Sequence, residues 1–246
     1  MDRMLYIGMT GAKESLLSQA INSHNLANVS TTGFKAELAQ FRSMPVFGDG
    51  HPSRAFSMTE RPGTDFSPGP LESTGRPLDM AISEDGWIAI QNDEGVEAYT
   101  RAGNLSVSPE GFLLTSSGYK VLGASGPVSI PPAENMNIGN DGTITIRQIG
   151  QQAATLAVVD RIKLVNPDSA DLKKGKDGLM YMKDGEIADN DLNVRLISGV
   201  LERSNVSAVD AMVTMINLAR NYEMQIKIMA TAKENDEASA KLMRIS

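Results

Sequence analysis

The sequence predicts an α+β fold: N- and C-terminal helices forming a coiled-coil-like axial domain, with a central all-β domain of short strands. Two observations carry this reading. Apolar residues recur at steps of three and four near both ends of the chain, whereas in the middle they come in short runs broken by glycine-bearing turns.

In the first helix, Leu5, Met9, Ala12 and Leu16 mark one narrow stripe, continued by Ala20, Ser23 and Ala27. Gly8 and Gly11 each cost about 1 kcal/mol relative to alanine in a helix interior, so this helix needs a partner to persist. At the other end, Ser207 and Asp210 have capping-box spacing, and a second helix runs from there to about Arg244. Its stripe reads Met212, Met215, Ala219, Tyr222, Ile226, Met229, Lys233, Asp236, Ala240 and Met243, which is a heptad seam. Such a helix would be roughly 57 Å long at 1.5 Å per residue. A helix of that length with one seam needs another helix, so the ends should pair with each other, with neighbouring copies, or both.

Between them, "GWIAIQNDEGVEAYTR" reads as strand, turn and strand, and "NLSVSPEGFLLTSSGYKVLG" repeats the pattern with turns at Pro109–Gly111 and Ser116–Gly118. Residues 138–148 and 154–166 supply further strands. From Phe41 to Ser73 proline and glycine recur too often for a helix or a central strand, which predicts an extended arm or a loop. The expected order is an N-terminal axial helix and its terminating turn (1–40), a Pro/Gly-rich arm (41–73), a central β-domain (74–200) and a long C-terminal axial helix (201–246).

Composition excludes several function classes. There are 23 basic and 30 acidic side chains, a net charge of −7, and no basic block, so nucleic acid is a poor partner. With no cysteine and two histidines, His24 and His51, disulfides and thiolate zinc sites are excluded, and no metal or cofactor is expected. No apolar run is long enough to span a bilayer, so no direct membrane insertion is expected. The N-terminus also lacks the apolar core and cleavage site of a secretory leader, so departure from the cytoplasm would need another route.

The motifs with chemical potential have plainer readings. "DNDLN" (Asp189 to Asn193) starts like a calcium loop, but Val194 and Val200 stand where such a loop needs glycine and glutamate. "KKGKDG" lacks the spacing of a phosphate loop and reads as a solvated turn. No nucleophile elbow or catalytic pair stands out, so no catalytic residue is assigned and no enzymatic activity is expected. Methionines along the C-terminal stripe suit adaptable helix packing. Two competing readings stay open at this point: a ligand-binding or enzymatic β-domain with coiled-coil ends, and a coiled-coil adaptor for peptides.

One stretch resists a plain reading. In "NSHNLANVSTTGFK", Asn22, Asn25 and Asn28 recur every three residues where the first helix ends. They either tie down a loose helix end or present amides to a neighbouring subunit.

That same stretch resembles the N-terminal signature of the flagellar basal-body rod proteins. Asn25, Ala27, Asn28, Thr31 or Thr32, Gly33, Phe34 and Lys35 match its turn, and His24 stands where the family usually has asparagine. "STGRPLDMAISEDGWIAIQ" with the β-segment after it is similar to the family core. "GVLERSNVSAVDAMVTMINLARNYEMQIK" is similar to the shared C-terminal signature. Length, the short arm and the C-terminal ending resemble the proximal-rod members more than the longer distal-rod protein FlgG, which is the alternative within the family.

The resemblance implies a structural axial subunit of the periplasmic rod of the flagellum, exported by the flagellar type III apparatus without a cleaved leader. Its implied partners are neighbouring proximal-rod subunits and distal-rod FlgG. The expected assembly interface is the pair of helix seams: Leu5, Met9, Ala12 and Leu16 on the first helix, and Met212, Met215, Ala219, Tyr222, Ile226, Met229, Ala240 and Met243 on the second.

Overall fold

The structure is a computed structural model that describes residues 3–45, 55–148 and 157–245. His51 and the first residues of the strand expected at 154–166 lie outside the described residues. The fold is α+β, with a helix at each end and a β-rich middle. The chain divides into two compact units, one made of residues 1–29, 36–65 and 206–246, the other of residues 30–35 and 66–205.

In the first unit, helix α1 (Arg3–Ala27) packs along helix α2 (Ala208–Ile245). Ser207 caps α2 by accepting the Asp210 amide at 3.3 Å, as the capping-box spacing predicts. The helices run antiparallel: Gly8 lies against Met229, Gly11 against Gln225, and the Asn22 side-chain amide donates to the Ala211 carbonyl at 2.7 Å. This pairing explains the two helix-weakening glycines. A Cβ on Gly8 would lie 2.8 Å from Met229 Cγ, and one on Gly11 2.9 Å from Gln225 Cδ. The glycines let the two backbones approach.

Helix propensity alone favours Gly8→Ala by about 1 kcal/mol. With Met229 in the way, the single variant should show no gain in thermal denaturation, and G8A combined with Met229→Ala should recover more than the two single effects sum to.

Residues 41–73, expected to be an arm or loop, instead contain most of an antiparallel hairpin, β1 (Glu37–Pro45) and β2 (Ala55–Thr64). The prolines are compatible with it because both strands of a two-stranded ribbon are edges. The register slips between Leu38 and Gln40, which pair with Gly63 and Glu60, so β2 carries a bulge. Leu38, Phe41, Met44 and Met58 are all exposed on this hairpin.

The second unit is antiparallel throughout. It opens with β3 (Leu71–Ser73) and β4 (Met80–Ile82), which pair with the last two strands of the chain. Next come β5 (Trp87–Gln91), β6 (Glu97–Thr100), β7 (Leu105–Val107), β8 (Leu113–Thr115), β9 (Lys120–Gly123) and the short β10 (Gly126–Pro127). A separate three-stranded sheet follows, β11 (Ala133–Ile138), β12 (Thr143–Gln148) and β13 (Ala157–Arg161). After it come β14 (Leu164–Val165), β15 (Leu172–Lys174), β16 (Met180–Met182), β17 (Leu196–Ser198) and β18 (Val200–Glu202).

The main sheet runs β15-β16-β6-β5-β9-β8-β7, with β14 on β5 and β10 on β9. Strand β5 is apolar at four successive positions because both faces are covered: Ile88 and Ile90 join one core, Trp87 and Ala89 the other. The ribbons β4–β17 and β3–β18 meet where Gly75 and Gly199 both adopt positive φ, and Met80, Ile82 and Leu196 of the first ribbon join the core.

Candidate functional site

The residues expected at the helix seams separate onto two faces. Toward the partner helix, α2 turns Ala211, Met215, Leu218, Tyr222, Gln225, Met229 and Ala232, all buried or half-buried at alternating steps of four and three. Met215, Tyr222 and Met229 belong both to this set and to the expected seam, and Ala219, also half-buried, sits on its flank. Ile226 (42% exposed), Met212 (54%) and Met243 (74%) point outward, and Ala240 is exposed. On α1, Ala12 is buried and Leu5 half-buried, but Met9 and Leu16 are 56% and 49% exposed. The face α1 turns inward is small and polar instead: Gly8, Gly11, Ser15, Ser18 and Asn22.

Sequence reading also missed a second stripe on α2. Val209, Met212, Val213 and Ile216, spaced i, i+3, i+4 and i+7, are all exposed. The signal was present in that spacing, but it overlaps the heptad seam and reads as part of it.

The signature turn is built from short-range bonds. Asn25 grips the start of β1 from both sides: its amide donates to the Glu37 carbonyl at 2.8 Å, and its carbonyl accepts the Glu37 amide at 2.9 Å. Asn28 donates to the His24 carbonyl at 2.9 Å and closes the helix end, one residue past Ala27, the last residue of α1. The amide of Asn25 therefore serves the turn.

Residues 30–35 belong to the β unit. Thr31 is exposed and Thr32 half-buried, and the Thr31 carbonyl accepts the Phe34 amide. Gly33 has φ +68°, and a Cβ there would lie 2.4 Å from the Arg101 carbonyl carbon. No residue with a side chain fits that approach without displacing backbone. Phe34 is buried beneath the Lys174 ammonium, 3.9 Å from its ring, and Lys174 also donates to the Lys35 carbonyl at 2.9 Å.

Lys35 leads into a buried ionic clasp. Its ammonium, 1% exposed, donates to Glu202 Oε1 at 2.7 Å and to the Ser67 carbonyl at 2.8 Å. The Gly69 amide reaches the same oxygen at 2.9 Å, and Arg101 Nη1 reaches Glu202 Oε2 at 3.0 Å. Arg101 is held in turn by the Gly86 and Glu84 carbonyls and lies 5.4 Å from the centre of the Trp87 ring. Burial pushes the Glu202 carboxyl up, but Lys35, the Gly69 amide and Arg101 together outweigh it and hold the group below its ordinary value. Nothing in the local sequence marks this cluster, because Glu202 lies 167 residues from Lys35 and 101 from Arg101.

The competing ligand-binding reading needs an open polar cleft. A cavity of about 420 Å³ is lined in part by Glu97, Leu122, Lys163 and Ile187, and there Lys163 already donates to both Glu97 oxygens, at 2.7 and 3.0 Å. Among the described residues, no group of three or more His, Cys, Asp or Glu is arranged to hold a metal ion, and no helix is long and apolar enough to cross a membrane.

Comparison with known proteins gives the class first. Three family models match in chain order: "Flagella basal body rod protein" over residues 5–35, "Flagellar hook protein FlgE/F/G D1 domain" over 81–146, and "Flagellar basal body rod FlgEFG protein C-terminal" over 197–242. The chain is 40% identical to the flagellar basal-body rod protein FlgF of Escherichia coli (strain K12) and 39% identical to that of Salmonella typhimurium, each over the full length of both chains. It is 31% identical to the flagellar basal-body rod protein FlgG of Bacillus subtilis (strain 168), over 94% of this chain and 95% of that one. The chain belongs to the flagellar basal-body rod protein family.

Proposed function

We propose that the chain is a structural axial subunit of the proximal rod, of the FlgF kind, and that it assembles with neighbouring rod subunits and with FlgG through its terminal helices. The observation that carries this is the double-faced character of α2. Its inner stripe is used within the chain, while Val209, Met212, Val213 and Ile216 stay exposed, as do Met9 and Leu16 on α1. Such a helix suits a place among other helices, each newly covered apolar area contributing about 25 cal/mol per Å². The exposed apolar residues of the β1–β2 hairpin fit the same setting, since they remain uncovered while the ribbon packs against α1.

In this reading the paired helices form the coiled-coil-like axial domain, the subunit sits in the periplasmic rod, and it reaches that place through the flagellar type III apparatus. The role is to carry torque through subunit contacts, with no catalytic step. Ordering a helix costs about 1 to 2 kcal/mol per residue in backbone entropy, which the α1–α2 contact offsets within one chain and contacts with neighbouring subunits would offset further.

The two helix faces give separable outcomes. Ile226→Asp, on the outward side, should leave the monomer folded by circular dichroism while blocking incorporation into basal bodies. Met229→Asp, on the inward side, should lower monomer helicity as well. Incorporation of the Ile226→Asp chain at the normal level would remove the Ile226 side of α2 from the interface.

A further inference from the structure

We propose that Glu202 acts as a completion latch: the signature turn at residues 30–35 docks onto the β unit only once the β18 segment, near the end of the chain, has delivered its carboxylate. Lys35 and Arg101 are 1% and 4% exposed, and both cations share this carboxylate. A chain is made N-terminus first, so Lys35 and Arg101 both precede their shared counter-charge. Burial of these two charges is less favourable without Glu202.

The backbone around the clasp depends on the same segment. The Gly33 amide donates to the Glu202 carbonyl at 2.8 Å, and the Arg203 amide donates to the Pro70 carbonyl at 2.9 Å. A Cβ on Gly69 would lie 1.9 Å from the Arg203 carbonyl oxygen, so residues 69 and 203 close directly on each other. Four stretches, 33–35, 67–70, 101 and 202–203, therefore close together or not at all. The strands of the main sheet pair among themselves and not with β18, so their pairing does not need the latch closed.

Protonation should reopen what Glu202 closes. Among the described residues, Lys35 from the turn and Arg101, just past β6, pair with it. Exposed Asp85 lies 4.0 Å beyond Arg101, Lys174 lies over Phe34, and the exposed Arg203–Glu72 pair is next along the β3–β18 ribbon. Because the folded carboxyl titrates below its unfolded value, its contribution is complete above the ordinary glutamate pKa of about 4.3 and is lost as pH falls through the lower folded value.

The test is amide hydrogen exchange on the full-length chain, corrected for the intrinsic pH dependence, together with emission from the single tryptophan, Trp87. Exchange at Gly33 and Gly69 should accelerate at least about tenfold in acid while Ile88, Ile90 and Val121 stay protected, and Trp87 emission should shift in the same step. Glu202→Gln should show the open pattern at neutral pH and no acid step, and Glu202→Asp should restore part of the closure. Loss of protection at Gly33 and Gly69 only together with the core strands would overturn the latch. So would an unchanged acid step in Glu202→Gln. Should that variant fail to fold, the acid series on the unmodified chain decides between the two outcomes alone.

Discussion

Replacing Glu202 with glutamine is expected to destabilise the β unit by about 3–5 kcal/mol, the range found when one member of a buried ion pair is removed. The side chain keeps its volume, so lost charge and not lost packing sets the cost. Without the carboxylate, two nearly buried cations lose the counter-charge they share, and an amide NH₂ placed in either oxygen position faces donors. A control lies beside it. Arg203 and Glu72 also approach to 2.6 Å, but their side chains are 49% and 54% exposed, and Arg203→Ala should change stability by less than about 1 kcal/mol. Urea denaturation followed by Trp87 emission measures both, and similar midpoints for the two variants would refute the ranking.

The second large effect is expected at Gly33. An alanine there would have to hold a φ of +68°, and its Cβ would lie 2.4–2.6 Å from the backbone of Arg101 and Ala102. The conformation alone costs about 1 kcal/mol, and the obstruction is backbone, which cannot rotate away as a side chain can. A total loss of roughly 3 kcal/mol or more is expected, with Phe34 and Lys35 displaced because they follow directly in the chain. Gly75→Ala is the informative comparison. It has the same sign of φ, +70°, and a Cβ added there would meet nothing within 4 Å, so only the conformational part of the cost should appear. Equal losses at the two positions would mean that the approach to Arg101 contributes nothing.

Much of this architecture is legible in the sequence where the causes are local. The start of α2 can be read from Ser207 and Asp210, and the hairpin of β5 and β6 from its apolar runs around an acidic, glycine-bearing turn. Local reading fails where a distant partner decides. Gly8 and Gly11 look like defects until Met229 and Gln225 lie across them. The hairpin of β1 and β2 is hidden by its prolines, because only the pairing shows a two-stranded ribbon whose edges tolerate them.

The helix faces are legible in part. The heptad spacing marks the inner set through Met215, Tyr222 and Met229, but it cannot divide inner from outer residues on a helix that is apolar on two sides. The asparagines of the signature turn left two roles open, and the paired bonds between Asn25 and Glu37 assign that side chain to the turn. The clasp is the least legible feature. Lys35, Arg101 and Glu202 are three ordinary charged residues in sequence, and only the fold brings both cations within 3.0 Å of the carboxylate.

The proposal that the exposed helix faces are rod interfaces is tested most directly by cryo-electron microscopy of basal bodies carrying this chain. The expected result is a stacked axial position in the proximal rod, with Met9 and Leu16 of α1 and Val209, Val213 and Ile216 of α2 covered by helices of neighbouring subunits. A rod lacking this chain, or one in which those five side chains still face solvent, would contradict it.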